Sequence, residues 1–322
     1  MSRILTGIQS TGTPHLGNIL GAIKPAIEMS NVQGNESFLF IADLHSLTVI
    51  KDAKKLKENT LSTAAAWLAC GLNPKKTVFY KQSDLTQVTE LAWYLNCFFP
   101  HSRLELAHSF KDKSNRLKDV NGGLFNYPML MAADILLYDA EVIPVGKDQL
   151  QHIEITRDVA SRFHAQMGET FILPKAKVKN DTKLISGTDG QKMSKSKNNV
   201  INIFQPDNKL KKQIMSIKTD STPLECPKDW SSCNCFKIYE LIASNENLDT
   251  MKKNYSCGNY GYGHAKEALF ELICNNFSKE RELYNNYISN PNEVEKILND
   301  GAKRASKVAN SVLTRVRSKL GY

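Results

Sequence analysis

The chain opens with a short apolar stretch at Ile4-Leu5. Polar, glycine-punctuated residues 7–18 follow, and apolar positions resume at Ile19. This pattern predicts a strand, a loop without bulk and a helix beginning near Gly17. Residues 36–42 form an apolar run bounded by turn residues, as expected of a strand buried on both faces of a parallel sheet. A helical pattern spans 52–70, a short strand 77–80, and a further helix 127–138 that is apolar nearly all round and therefore buried. Residues 141–145 read as a strand. Pro144 removes a ladder donor there, which predicts an edge or irregular strand. A glycine turn at 146–149 then leads into a helix over 150–163. Alternating strands and helices predict an α/β doubly wound parallel sheet. Beyond Ile203 the sequence turns to Lys- and Asn-rich helical segments at 207–217, 236–244, 264–286 and 292–320. A boundary near residue 200 is thus expected, with an α/β domain at 1–200 and an α-helical domain at 201–322.

A length of 322 residues agrees with two domains. The longest candidate membrane stretch, 129–137, is too short to span and carries Asp134, so no membrane association is expected. Met1-Ser2-Arg3 leads straight into the first strand without a signal peptide, so the expected location is cytoplasmic. With 42 basic and 33 acidic residues the net charge is +9, which suits a polyanionic partner. Seven cysteines, an odd number, argue for free thiols. Cys226, Cys233, Cys235 and Cys257 lack the paired spacing of common zinc sites. The final segment carries Lys303, Arg304, Lys307, Arg315, Arg317 and Lys319 with no acidic residue among them. Those charges either contact nucleic-acid phosphates or complement the helix C-terminus.

Candidate chemistry concentrates in a few stretches. Glycines at 7, 12 and 17 allow close backbone approach, and a helix starting near Gly17 aims free N–H groups at a ligand. His15 and Asn18, three residues apart, can both donate to one oxyanion. At the carboxyl ends of the strands, Gln9, Asp43, His45 and Gln82 are candidates by position, each with a solvated turn as the alternative. Lys111 is either a phosphate ligand or a solvated lysine. In the apolar helix, spacings of four, three and four align Tyr127, Met131, Asp134 and Tyr138 on one face. A carboxylate there needs a structural donor or a ligand N–H. The stretch Gly190–Asn199 looks like a mobile basic loop, either an exposed turn or a flap able to close over a triphosphate.

In combination these stretches resemble the class I aminoacyl-tRNA synthetases, and within them the bacterial tryptophanyl branch. Pro14-His15-Leu16-Gly17-Asn18 is similar to the first family signature, with Asn18 at its second histidine, and Lys192-Met193-Ser194-Lys195-Ser196 matches the second, KMSKS, in full. Branch-specific matches are Gly7-Ile8-Gln9, Met131-Ala132-Ala133-Asp134-Ile135-Leu136, and Val145-Gly146 with Asp148, Gln149, Gln151 and His152. The resemblance runs from about residue 4 to 200 and continues through Gly261-Tyr262-Gly263.

The resemblance implies a Rossmann-like catalytic domain with a C-terminal helical anticodon-binding domain. It also implies activation of L-tryptophan with Mg·ATP to tryptophanyl-adenylate, and transfer to tRNA(Trp). His15, Asn18, Lys111, Lys192 and Lys195 would be the catalytic groups. Gln9, Ser10, Thr11, Gly17, Gly146, Asp148 and Gln149, with Met193, Ser194 and Ser196, would frame the ATP alongside Asn18, Lys192 and Lys195. Leu5, His45, Tyr127, Met131, Asp134, Val145 and Gln149 would bind tryptophan, with Asp134 on the indole N–H. Mg2+ arrives with ATP, no protein-bound metal is expected, and a homodimer is implied. Leu5 stands where many relatives carry an aromatic residue, and Lys147 where glutamate is frequent. Neither change removes a catalytic group.

Overall fold

The computed structural model describes residues 2–107, 120–146, 149–178 and 185–322. Five strands form one parallel sheet: β1 Ser2–Ile8, β2 Asn35–Ile41, β3 Val78–Lys81, β4 Val142–Val145 and β5 Lys175–Val178, in the order β3-β2-β1-β4-β5. Side-chain alternation divides the core cleanly. Phe38, Phe40, Val78 and Tyr80 enter one apolar cluster, whereas Leu39, Ile41 and Phe79 enter the cluster on the opposite face. Both faces are covered, which is why 37–41 is buried without interruption.

The chain reverses direction across β1. It first builds outward through β2 and β3, then returns to place β4 on the other side of β1. Pairing of β1 with β2 is complete from Ser2↔Asn35 to Ile8↔Ile41, but its register with β4 is limited to Ile4↔Val142. A crevice therefore opens at the carboxyl ends of β1 and β4, the usual ligand position in such sheets. Pro144 does not put β4 at an edge. β4 is internal and continues its register with β5 through Val145↔Val178, so the irregularity expected from proline is confined to the β1 side. The missing N–H is tolerated because the ladder to β1 ends at that level.

The helical region differs from expectation in detail. An additional helix, Asn245–Ser256, lies between the expected segments, and the pattern over 264–286 divides at Phe277 into Tyr262–Asn276 and Ser278–Ser289. Phe277 is buried and serves as the joint between them.

The last helix, Pro291–Leu320, runs from the helical region onto the sheet. Val294 and Leu298 pack in one core cluster, while Ala302, Ala305, Ala309, Val312, Leu313 and Val316 pack in the other, so the helix crosses the β3 edge and covers it. Arg317 and Lys319 lie in the last turn, as the helix C-terminus alternative has it, while Arg304 and Arg315 are spent on partners within the fold. Arg304 donates to the carbonyls of Pro74 and Thr77, Arg315 to Thr170 O and Asp139, and Arg317 makes a two-pronged pair with Glu90 at 2.6 Å. These charges fasten the helix to the α/β layer.

Gly301 sits where the helix meets the β3 backbone, and a Cβ there would overlap the carbonyl of Phe79. Alanine would gain about 1 kcal/mol of helix propensity, but overpacking against main chain costs about 1–3 kcal/mol or more. Gly301→Ala should therefore be destabilising, with a lower denaturation midpoint in urea. An unchanged or raised midpoint would contradict the close crossing.

Candidate active site

The crevice is about 1250 Å³, bordered by the loop after β1, the ends of β2 and β4, the helix Tyr127–Leu136 and the segment 192–197. Gly7 has no room for a side chain because the Phe40 ring occupies that place. At Gly12 the backbone takes φ +129°, a conformation that favours glycine. Its carbonyl accepts a 2.7 Å hydrogen bond from Lys195 Nζ.

His15 is the N-cap of the first helical turn, and its bonds with Asn18 are reciprocal. Asn18 N–H donates to His15 Nδ1 at 3.3 Å, and His15 N–H donates to Asn18 Oδ1 at 3.2 Å. This cap fixes two chemical identities. With Nδ1 accepting, a neutral imidazole carries its proton on Nε2, and with Oδ1 accepting, Asn18 retains its Nδ2 hydrogens for a ligand. Burial, assisted by the nearby Lys195 charge, lowers the His15 pKa to about 4. The ring is therefore a neutral N–H donor at neutral pH. Gly17 keeps this arrangement open, since a Cβ there would stand 3.0 Å from the imidazole. The helix continues through a π-turn at Ile19–Ile23 before regaining α geometry at Lys24–Asn31, a distortion common beside functional sites.

The basic segment is held more firmly than its composition suggests. Ser186 and Lys192 form an antiparallel bridge, and Met193 N–H donates to Ile185 O. Asn199 is the buried centre of the turn: its Oδ1 accepts from Ser194 N–H at 2.7 Å, and its Nδ2 donates to Asp189 at 2.7 Å and to Lys192 O at 3.1 Å. Met193 is buried in the core with Leu16 and Ile19, its sulfur 3.3 Å from Gly17 N. Leu16 N–H donates to Ile201 O at 2.8 Å, joining the far end of the segment to the first helix. The lysines are thus presented from a braced turn. Burial lowers the Lys195 pKa to about 8.

On the opposite side of the crevice, Asp134 is 2% exposed. Gln82 Nε2 donates to both its oxygens, at 2.9 and 2.8 Å, and His45 Nε2 lies 3.0 Å from Oδ2. Burial pushes the Asp134 carboxyl above its usual range, while the hydrogen bonds and charge of His45 and the bond from Gln82 act the other way. Tyr127 meets His45 edge-on, with ring centroids 4.4 Å apart. Leu5, Phe40, Met131, Ile143 and Val145 supply apolar walls. The result is a recess with apolar walls, a carboxylate at one point and phosphate-suited donors elsewhere along the same crevice.

A model of the family described as tRNA synthetases class I (W and Y) matches residues 1–278. The chain belongs to this family. It is 46% identical over 319 residues to the tryptophan–tRNA ligase of Campylobacter jejuni strain RM1221, covering 99% of both proteins. It is also 46% identical over 319 residues to the tryptophan–tRNA ligase of Rhodopirellula baltica, again covering 99% of both. Its fold superimposes with a TM-score of 0.96 on a crystal structure of tryptophanyl-tRNA synthetase from Campylobacter jejuni complexed with ADP and tryptophan, at 46% identity over 99% of this chain and 100% of that one.

The structure gathers most of the family-implied residues around one crevice. Gln9, Thr11, His15, Gly17, Asn18, Gly146, Gln149 and the segment Lys192–Ser196 line it, as do Leu5, His45, Tyr127, Met131, Asp134 and Val145. Ser10 does not line it. It is fully buried, its N–H and hydroxyl facing Ser46 Oγ at 2.9 and 3.2 Å and Thr60 donating to its hydroxyl at 3.2 Å, so it braces the loop from beneath. Lys111, Lys147 and Asp148 lie outside the described residues. Asp43, a candidate by position, accepts from Ser83 and Leu44 as a turn brace. Asn199 was not distinguished from its polar neighbours by sequence. Its one signal was its place at the end of the basic run.

Lys195 links this geometry to pH. Its ammonium, suited to phosphate, is present below its lowered pKa and lost as pH rises through about 8. At saturating amino acid, kcat/KM for ATP should fall above that pH, approaching tenfold per unit, and Lys195→Arg should remove the alkaline limb even if its overall rate is lower. A wild-type profile level to about pH 10, near the ordinary lysine pKa, would contradict this.

Proposed function

We propose that the chain activates L-tryptophan with Mg·ATP and transfers it to the 3′-terminal ribose of tRNA(Trp), releasing AMP and pyrophosphate. The observation that carries the reading is a buried, hydrogen-bonded carboxylate, Asp134, in the same apolar crevice as the His15–Asn18 cap and the lysine-bearing turn. Full-length similarity to tryptophan–tRNA ligases supports the same activity.

In the first step a tryptophan carboxylate oxygen attacks the α-phosphorus of ATP. The new P–O bond gives tryptophanyl-adenylate as the bond to the β-phosphate oxygen breaks and pyrophosphate leaves. No protein nucleophile is needed, and placement with charge stabilisation carries the rate. His15 Nε2–H and the Asn18 carboxamide donate to α-phosphate oxygens as charge develops there. Lys192, Lys195 and Lys111 hold the β- and γ-phosphates and then pyrophosphate, with Mg2+ entering as part of the nucleotide. Gln9, Thr11, Gly17, Gly146, Asp148 and Gln149 frame the nucleotide, together with Met193, Ser194 and Ser196.

Tryptophan lies with its indole between the walls formed by Leu5, Met131 and Val145, beside Tyr127 and His45, with its head near Gln149. Its ring N–H reaches Asp134. A substrate without that N–H leaves a buried acceptor unpaired, a penalty that separates tryptophan from phenylalanine without editing. In the second step the ribose hydroxyl of tRNA attacks the aminoacyl carbonyl and AMP leaves. The protein acts as a cytoplasmic homodimer, and its helical region, 201–322, is the anticodon-binding domain.

Amino-acid-dependent pyrophosphate exchange tests the assignment. Tryptophan should drive exchange and tyrosine should not, and the reverse result would sink it. Asp134→Ala should raise KM for tryptophan at least tenfold with little change for ATP, whereas Lys195→Ala should slow adenylate formation with tryptophan affinity largely retained. Equal losses in both assays for both variants would remove the division of roles.

A further inference from the structure

The carboxylate in the apolar helix has a second requirement beyond its ligand: it must stay charged and point one way in a place that favours neither. Gln82 is positioned to meet that requirement. It is fully buried at the end of β3, and its Nε2 stands within 2.9 Å of both Asp134 oxygens, astride the fork of the carboxylate. Its own orientation is fixed because Oε1 accepts from the His45 main-chain N–H at 3.4 Å, which leaves the amide nitrogen facing Asp134. His45 Nε2 takes a further place on Oδ2. Among the described residues Oδ2 therefore meets two neighbours and Oδ1 one, so Oδ1 is the oxygen with more acceptor capacity left.

We propose that Gln82 is a specificity-determining positioning residue, which orients the Asp134 carboxylate so that Oδ1 receives the indole N–H. This rests on the assignment of tryptophan as the substrate. Gln82 acts through Asp134. Three elements thereby share one acceptor: the carboxylate comes from the helix Tyr127–Leu136, its fork is filled from the end of β3, and its flank is filled from the helix Asp43–Leu47 after β2. A hydrophobic residue at 82 would fill similar space but leave the carboxylate without its central donor. The lost donor favours protonation, and a protonated carboxyl discriminates poorly for an N–H.

The test compares tryptophan with its benzothiophene isostere, β-(benzothiophen-3-yl)alanine, in which sulfur replaces the ring N–H. Pyrophosphate exchange is measured with full-length protein. Wild type should prefer tryptophan strongly. In Gln82→Leu the preference, as a ratio of kcat/KM values, should fall about tenfold, with KM for tryptophan raised and KM for ATP unchanged. Gln82→Glu supplies a second readout that a merely structural residue would not move. Two adjacent carboxyls share a proton, so kcat/KM for tryptophan should decline as pH rises through neutrality, where wild type is level.

A preference within about twofold of wild type in Gln82→Leu, including one in which both substrates lose activity equally, would overturn the proposal. If the leucine variant does not fold, the glutamate variant decides, and a wild-type pH profile for it would overturn the proposal as well. Absence of tryptophan-dependent exchange in wild type would overturn the substrate assignment and this inference with it. Wild-type exchange with an unchanged variant preference would overturn the inference alone.

Discussion

The site depends on an inequality at β1. That strand pairs with β2 along its whole length and with β4 at a single register position, so the sheet is continuous at one end and parted at the other. Backbone groups released there are available to turns and ligands instead of a ladder, and the loop after β1 meets the end of β4 across the gap. Pro144 belongs to the same constraint. A residue without an N–H is least costly where a ladder is already ending.

Around this gap the polar groups face different problems and are treated differently. His15 and Asn18 spend an acceptor each on the other's backbone N–H, which leaves the His15 Nε2–H and the two Asn18 Nδ2 hydrogens for a ligand. Asp134 uses much of its acceptor capacity on His45 and Gln82 because a bare carboxylate would be too costly to bury. Lys195 rests on a glycine carbonyl and lies close to the His15 ring. Partial satisfaction is common to all of them: each is held well enough to keep its position and retains capacity for a partner. That is the arrangement expected where groups are prepared in advance for charge that develops during a reaction.

The last helix shows the same economy at a larger scale. Its small residues allow a close crossing over β3, and its arginines find carbonyls and carboxylates on the α/β layer. The helix closes an otherwise open sheet edge. Net positive charge alone therefore overstates the basic surface available to a polyanion, because part of it is consumed within the fold.

The sequence by itself determined the alternation of strands and helices, the burial of 37–41 and 132–136, and the short patterns around His15, Asp134 and Lys192. These are local matters, set by side-chain periodicity and by residue types whose chemistry does not depend on distant neighbours. It also supplied the family resemblance, which implies the two halves of an ATP site. Tertiary structure decided whatever required separated segments to meet. It put Gln82 on Asp134 and Asn199 at the centre of the lysine turn, withdrew Ser10 from the crevice, and carried residues 291–320 back to the sheet. None of these is written in a local pattern. A glutamine, an asparagine, a serine or an arginine has the same sequence signature whether its hydrogen bonds go to water, to a ligand or to a residue many positions away. Only packing, by excluding water and fixing which groups remain, settles which.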